Sequence, residues 1–583
     1  MAHDYFWRSR VTRSPADTRP SDETVPSRHP GATIGRYLRP LLPSRDDYRS
    51  VRRTWRADLL AGLTVGIVAL PLALAFGVSS GAGAAAGLIT AIVAGVVAAV
   101  FGGSHVQVSG PTGAMVVVLG PIVATQGVAA VAAVSLMAGI IVLAAGLAKL
   151  GRVVSYIPWP VIEGFTLGIA VIIFLQQVPA AIGAPAADHA NAVIAAVRSF
   201  ENVDVASGVW AGGAVITVVA VMLIVPRIHQ RLPASLIAIA LVSVVAALVK
   251  LPLETTGALP ASLPAPAVPS FDPGTLSALT GAAFTVAALA AIESLLSARV
   301  AASISETGPY DADRELVGQG LASMASGFFG GMPATGAIAR TAVNLRSGAQ
   351  TRLAAIFHAV VLLAVVYLAS GVVSQIPLAA LAGVLMVTAA RMISIATVRT
   401  VIGSTRTDAV VFIITAIVTV SVDLIIAVGI GIACAAFFAL RALAASGGVH
   451  REALPTPPEP GDARIALFRL DGALFFGAAD RMLDQITAIT DVSVVIIRMS
   501  QLQVVDATGA RVITEMIHRL ERRGVTVLLK GIRPEQLRVV TRVGVISSLR
   551  HVNHLFDDLD LAIEHARDHV SRLEASPNPD RAA

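Results

Sequence analysis

The few polar residues set inside long apolar runs are where this chain can do chemistry. Glu293 stands within Ala287–Leu296, and no charged residue lies between it and Asp272. An ionisable group inside a membrane-length apolar run is costly to keep and marks function. Desolvation disfavours a charged carboxylate, so Glu293 could carry a proton whose charge is traded against a bound anion. Ser297 follows one helical turn later, and a Glu–Ser oxygen pair could instead ligate sodium. A structural alternative has Glu293 neutralising Arg340 or Arg299 and fixing helices together.

Two segments supply the matching positive character. Gly102-Gly103-Ser104 precedes Val106-Gln107-Val108-Ser109-Gly110-Pro111-Thr112-Gly113-Ala114-Met115, and Gly330-Gly331-Met332 precedes Pro333-Ala334-Thr335-Gly336-Ala337-Ile338-Ala339-Arg340. Glycine and proline in such runs either serve close helix packing or mark interrupted helices. Interrupted segments at corresponding places in two halves point to a transporter's binding site. A helix that starts in mid-membrane directs its free N–H groups and positive dipole end into the cavity. Two such starts, at Thr112-Gly113-Ala114 and Ala337-Ile338-Ala339, would hold an anion through backbone alone, and Arg340 adds a full charge. The expected substrate is an anion. No cofactor is called for beyond a coupling ion, H⁺ or alternatively Na⁺.

Other candidates carry less. Asp408 and Asp423 begin apolar runs and read as helix-start residues, Glu163 lies near a span end, and His189 and His229 sit in loops without a role. Cys434 is the sole cysteine, which excludes an internal disulfide and a multi-cysteine metal site. With no histidine cluster legible either, a zinc active site, and with it a membrane enzyme, is disfavoured.

The elements that must position these residues follow from composition. Of 583 residues, 55% are hydrophobic and only 14% charged, against roughly 25% charged in ordinary soluble proteins. A soluble enzyme is excluded. Apolar stretches, each suited to a bilayer core of about 20 helical residues, fall into seven between about 59 and 251 and seven between about 279 and 443. The Pro-containing loop 252–278 separates them, and each interrupted segment is third in its set. Residues 1–57 form a polar arm with twelve Arg against six Asp or Glu. Charge there reads as cytoplasmic topology rather than nucleic-acid binding. An even number of crossings returns the C-terminus to the same side. The first apolar run begins too far in for a cleavable signal peptide.

The expected organisation is a basic arm (1–57), a transmembrane domain (58–446), a linker (447–463), a small α/β domain (464–570) and a disordered tail (571–583). Within the α/β domain, residues 464–470, 492–497 and 525–529 read as strands. Asp506-Ala507-Thr508-Gly509-Ala510 opens a helix reaching about Arg523. Strand–helix alternation implies a compact α/β layer structure.

These residues resemble the SulP anion-transporter family, the sulfate permeases and their relatives, over roughly 85% of the chain from Asp58 onward. The resemblance rests on an ordered series. It runs from Asp58–Gly66 with Pro71–Ala75 through Gly87-Leu88, Gly102–Thr112 and Gly164–Gly168 to Ala291–Leu296, Arg314–Gly320 and Ala339–Asn344. It implies a polytopic α-helical protein of 14 spans, a seven-plus-seven inverted repeat with core and gate domains, in the cell's plasma membrane. The anion would lie between the third and tenth helices and against the first and eighth. Members are typically homodimers and carry sulfate, bicarbonate, dicarboxylates or chloride. Glu293 matches the position tied to proton or sodium coupling, and Arg340 the basic residue of the anion site. Leu72 stands where many members have Gln, and Ser323 where the family has Asn, which leaves the substrate open.

The C-terminal domain resembles a STAS domain, through which cytoplasmic regulators could act. Thr508 matches the position phosphorylated in signalling members, although Asp506 or Thr508 could equally just cap the helix. The reading is a secondary active transporter of small anions, proton-coupled by alternating access. A sodium symporter, an uncoupled exchanger or channel on the same fold, and an anion sensor signalling through STAS are its rivals.

Overall fold

The computed structural model describes residues 39–575 apart from 186–190, 230–231, 270–272, 423, 447, 476–482, 485 and 487–488. His189, Asp423, most of the basic arm and the end of the tail thus lie outside the described residues. The chain divides into two compact units. One comprises the described residues up to Val154 with Ala220–Leu381; the other comprises Ser155–Val219 with Ala382 onward.

The membrane helices fall into the expected two sets. The first is α1 (Val51–Ser79), α2 (Ala84–Phe101), α3 (Gly113–Gln126), α4 (Ala129–Leu147), α5 (Trp159–Gln176), α6 (Val205–Ile228) and α7 (Ala234–Val249). The second is α8 (Pro273–Ile304), α9 (Ala312–Phe328), α10 (Ile338–Arg346), α11 (Arg352–Val373), α12 (Leu378–Met392), α13 (Arg406–Ser421) and α14 (Leu424–Ser446). Among the described residues nine helical stretches are long and apolar enough to cross a bilayer. The interrupted segments α3 and α10 are not among them, with 14 and 9 residues. Each follows a two-residue strand, β1 (Ser109–Gly110) before α3 and β2 (Thr335–Gly336) before α10. Helix α1 begins earlier than hydropathy alone places it, because Arg52, Arg53 and Arg56 are good helix formers that extend it into water.

Small residues set the packing, as expected where lipid supplies no hydrophobic drive between helices. In the first unit, a Cβ on Gly139 of α4 would sit 2.7 Å from the Gly320 carbonyl of α9. In the second, Gly164 and Gly168 of α5 lie against Phe412, Thr415 and Thr419 of α13, where a Cβ would come within 2.5 Å. The Gly164–Gly168 motif is therefore a contact seam. Helix α7 groups with the first unit and packs on α1.

The arm does not end where the first helix begins. Short 3₁₀ turns at Arg39–Leu41 and Arg45–Tyr48 precede α1, and Asp47 is buried. Its carboxylate takes two hydrogen bonds from Arg314, at 3.0 and 2.7 Å, and one from the Ser44 N–H at 2.8 Å. Burial works against this charge, but the Arg314 and Ser44 bonds and the neighbouring Arg352 outweigh it and hold the carboxyl well below its usual range.

The C-terminal domain is built on five strands: β3 (Gly448–Glu452), β4 (Ile465–Leu474), β5 (Val494–Val505), β6 (Thr526–Lys530) and β7 (Leu555–Phe556). They form one sheet in the order β3-β4-β5-β6-β7. β3 runs antiparallel to β4, and the remaining pairs are parallel. β3 lies inside the stretch expected to be linker, because its short polar sequence gives no strand signal without its partner. Alternate side chains of a strand face opposite ways. Val495, Ile497 and Met499 therefore join a core under α15 (Ala507–Arg522) with Ile513, Ile517 and Leu520. Val494 and Ile496 join a second core under α17 (Leu559–Ala575) with Ala562, Ile563, Ala566 and Val570. Between these two helices in the chain, α16 (Pro534–Val543) completes the first layer.

Candidate functional site

The two interrupted segments meet. Strands β1 and β2 pair antiparallel, with Ser109 opposite Gly336 and Gly110 opposite Thr335. Backbone at membrane depth must be satisfied by protein, and a two-residue ladder satisfies little. Side chains and loop backbone supply the rest. The Ala337 N–H bonds the Val108 carbonyl at 2.9 Å. The Val108 N–H bonds Thr341 Oγ1 at 3.0 Å, and the Gly336 N–H bonds Ser294 Oγ at 3.0 Å. Both α3 and α10 touch α1 and α8, so the four elements expected around the anion do come together.

Helix α8 brings Glu293 to this junction. Its Oε2 accepts from Thr112 Oγ1 at 2.8 Å and from Thr335 Oγ1 at 2.9 Å, and those two hydroxyls lie 3.1 Å apart. Glu293 is half-buried and touches at once the start of α3 and the strand β2 that leads into α10. Among the described residues no ion pair within 4.0 Å joins it to Arg340 or Arg299, although Arg340 is near enough for the two charges to attract. Ser297 is fully buried, with its Oγ 3.4 Å from Thr341 Oγ1. Its hydroxyl thus faces α10 rather than Glu293.

Arg340 sits in the first turn of α10 and is 2% exposed. Nη2 donates to the Pro111 carbonyl, while Nη1 is buried with no partner among the described residues. A Cβ on Gly110 would fall 2.6 Å from Nη1, so glycine is what lets the guanidinium lie across the strand crossing. The two helix starts also keep their N–H groups. Neither Thr112 before α3 nor Ala337 before α10 makes a side-chain cap, and the first-turn donors have no intrahelical acceptor. They differ in access: Thr112, Gly113, Ala114 and Ala337 are buried, whereas Ile338 and Ala339 are exposed. Leu72 is buried on α1 beside the in-helix Pro71 and offers only apolar surface.

Glu163 accepts from Trp159 Nε1 at 2.9 Å, and Asp408 bonds the Thr405 hydroxyl at 2.9 Å where α13 begins; both are helix-end contacts. Ser323 bonds the Ala334 N–H at 3.2 Å and so supports the second break from behind. In the C-terminal domain Asp506 Oδ1 caps α15 by accepting from the Gly509 N–H at 2.7 Å, and Thr508 is exposed in the first turn. The cap reading holds for Asp506.

Sequence reasoning misses three things. Thr335 and the Thr112 hydroxyl act on Glu293 across 42 and 181 residues, a pairing no local pattern announces. Glu315 is buried and accepts from the N–H groups of Gly103 and Ser104 at 2.8 and 3.0 Å, fixing the loop before the first break. The expectation of no histidine cluster is corrected: His554, His565 and His569 converge in the C-terminal domain. The available signal is their spacing, with His565 and His569 four residues apart on one helix face.

A helical membrane domain with two interrupted helices that cross, followed by an α/β domain, is the architecture of a membrane transporter with a C-terminal α/β domain. The Sulfate permease family model matches residues 55–415 and the STAS domain model residues 457–562. The chain belongs to the sulfate permease family. It is 33% identical over 475 residues to the putative sulfate transporter YvdB of Bacillus subtilis, covering 79% of this chain and 88% of that protein. It is 30% identical over 491 residues to the bicarbonate transporter BicA of Synechocystis, covering 80% and 86%. The solved structure of SLC26A9 matches with TM-score 0.79 at 17% identity over 97% of this chain and 99% of that one. At that identity the likeness concerns the fold. The protein is a multi-pass membrane transporter, not an enzyme.

Proposed function

We propose that this transporter carries a small oxyanion of the sulfate, bicarbonate or dicarboxylate class together with a proton, by alternating access. The observation that carries this reading is Glu293, hydrogen-bonded to the start of α3 and to the strand β2 that leads into α10, with no ion pair within 4.0 Å to Arg340 or Arg299 among the described residues. An anion seated at the two helix starts and an ionised carboxylate beside it repel one another. Binding of the anion with a proton on Glu293 removes that repulsion, so the two ions travel together. The free Nη1 of Arg340 and the uncapped first turns of α3 and α10 are the anion's donors. The family name and the bicarbonate transport named for BicA support the substrate class. In this reading the protein works as a homodimer with both termini cytoplasmic, and the STAS domain is where regulators act.

The test is proton influx into proteoliposomes, followed with an internal pH dye in the absence of sodium. Sulfate, bicarbonate, succinate, fumarate and chloride are added singly. Acidification by one oxyanion is expected. Labelled uptake that requires sodium, without acidification, would transfer coupling to a sodium site at Glu293. Flux indifferent to either gradient would make the protein an exchanger or channel. With Glu293→Gln, gradient-driven uptake is expected to disappear while the protein remains folded and still exchanges anion for anion. Equal gradient-driven uptake by variant and wild type would remove Glu293 from coupling.

A further inference from the structure

The C-terminal domain carries a side-chain cluster that anion transport does not use. His565 and His569 occupy α17 four residues apart, which puts both rings on one helix face. The 3₁₀ turn Val552–His554 delivers His554 beneath them. Ring centroids lie 5.5 Å apart for His554 and His565, 5.5 Å for His554 and His569, and 5.0 Å for His565 and His569. One ligand nitrogen from each ring lies within 4.8 Å of the other two. His554 is 2% exposed. Its Nδ1 and the Nε2 of His565 are buried with no hydrogen-bond partner among the described residues.

Buried polar atoms are ordinarily satisfied, and an unsatisfied one asks for an explanation such as an ion. We propose that His554, His565 and His569 form a three-histidine site for a divalent transition metal, with zinc the ion the ligand set suits. Neutral imidazole is a zinc ligand, and three of them leave a fourth position for water. A tetrahedral ion with bonds near 2.0 Å needs nitrogens about 3.3 Å apart, so the nitrogens, now within 4.8 Å of one another, would have to close on the ion by rotation of the half-buried His565 and His569 rings. Each ring ligates as neutral imidazole; a protonated one could not. Bound metal would tie α17 to the turn leading into β7, two parts of the domain otherwise joined through the apolar core of Ala562, Ile563 and Ala566 and the ring contact of Phe556 with His565.

The test uses the full chain in detergent, bearing no histidine tag, stripped with chelator and titrated with zinc chloride by calorimetry. Metal content is read in parallel after gel filtration. One zinc per chain is expected. The double variant H565Q/H569Q, whose side chains lie toward the helix surface, is expected to weaken binding at least about 100-fold. H551Q, altering an exposed neighbour outside the trio, is expected to keep it. Thermal unfolding adds a second readout: zinc should raise the unfolding temperature of the wild type and leave that of H565Q/H569Q unmoved. Wild-type protein that takes up no stoichiometric zinc overturns the site. So does a double variant, eluting as the wild type does, that binds zinc equally well.

Discussion

Helix starts in the membrane and in the C-terminal domain are finished differently. α15 begins with Asp506, whose carboxylate occupies the Gly509 N–H. α3 and α10 begin with Thr112 and Ala337, and neither side chain caps anything. Thr112 has the chemistry to cap, but its hydroxyl is turned to Glu293 instead. The same division separates two buried arginines. Arg314 is matched by both oxygens of Asp47, whereas Arg340 keeps Nη1 free among the described residues. A satisfied donor stabilises the fold; an unsatisfied one, held rigidly in place, is available to a ligand. The proposed transport site thus keeps unmatched donors at the crossing of the two breaks.

The contrast breaks most readily at Arg340. Arg340→Gln is expected to weaken anion binding roughly a hundredfold, read as the half-saturating concentration for uptake, while a side-chain amide keeps a donor for the Pro111 carbonyl. An unchanged half-saturating concentration would make Arg340 structural, like Arg314.

Asp47→Asn tests the opposite member of the pair. Losing charge-assisted bonds to a buried guanidinium should lower stability by about 2 kcal/mol with little direct effect on anion affinity. The folded carboxyl is held below its ordinary 3.8. Its contribution is thus complete above that value and lost as pH falls through the folded one. The difference between variant and wild type in thermal unfolding should stay constant from about pH 5 to 8.

Thr335→Val removes one of the two hydroxyls on Glu293 and should shift the pH profile of uptake with an effect of about 1 kcal/mol, roughly fivefold. A change in maximal rate without movement of that profile would assign Thr335 to packing.

The smallest effects concern α15. Asp506→Ala should cost about 1 kcal/mol through loss of the cap. Thr508→Ala should stay within about 0.5 kcal/mol and leave uptake unchanged. Loss of transport in the Thr508 variant alone would point to a role beyond the surface.

Much of this is legible in the sequence because membrane spans declare themselves by apolar length. The breaks before α3 and α10 are legible too, since glycine and proline interrupt those runs at matching places. The β1–β2 crossing is not, because Ser109 and Gly336 meet only once the intervening helices are folded. Nor are the bonds of Thr112 and Thr335 to Glu293, whose geometry depends on three elements far apart in sequence. Asp506, Gly509 and an amphipathic run place the α15 helix of the C-terminal domain to within a residue. The short strand β3 is hidden in polar residues that pair only with β4. The histidine trio is split between a turn and a helix and carries no contiguous motif.

The strand crossing has one more consequence. With β1 bonded to β2, and α8 bonded to the start of α3 and to β2 through Glu293 and Ser294, the two helix starts cannot part without breaking a shared network. The anion's ligands would then keep one geometry throughout the cycle, and the intrinsic affinity should be equal from either face of the membrane. A proton-coupled carrier of that kind would have no built-in preferred direction: the same molecule would fill or empty the cell according to the combined anion and proton gradients across its membrane.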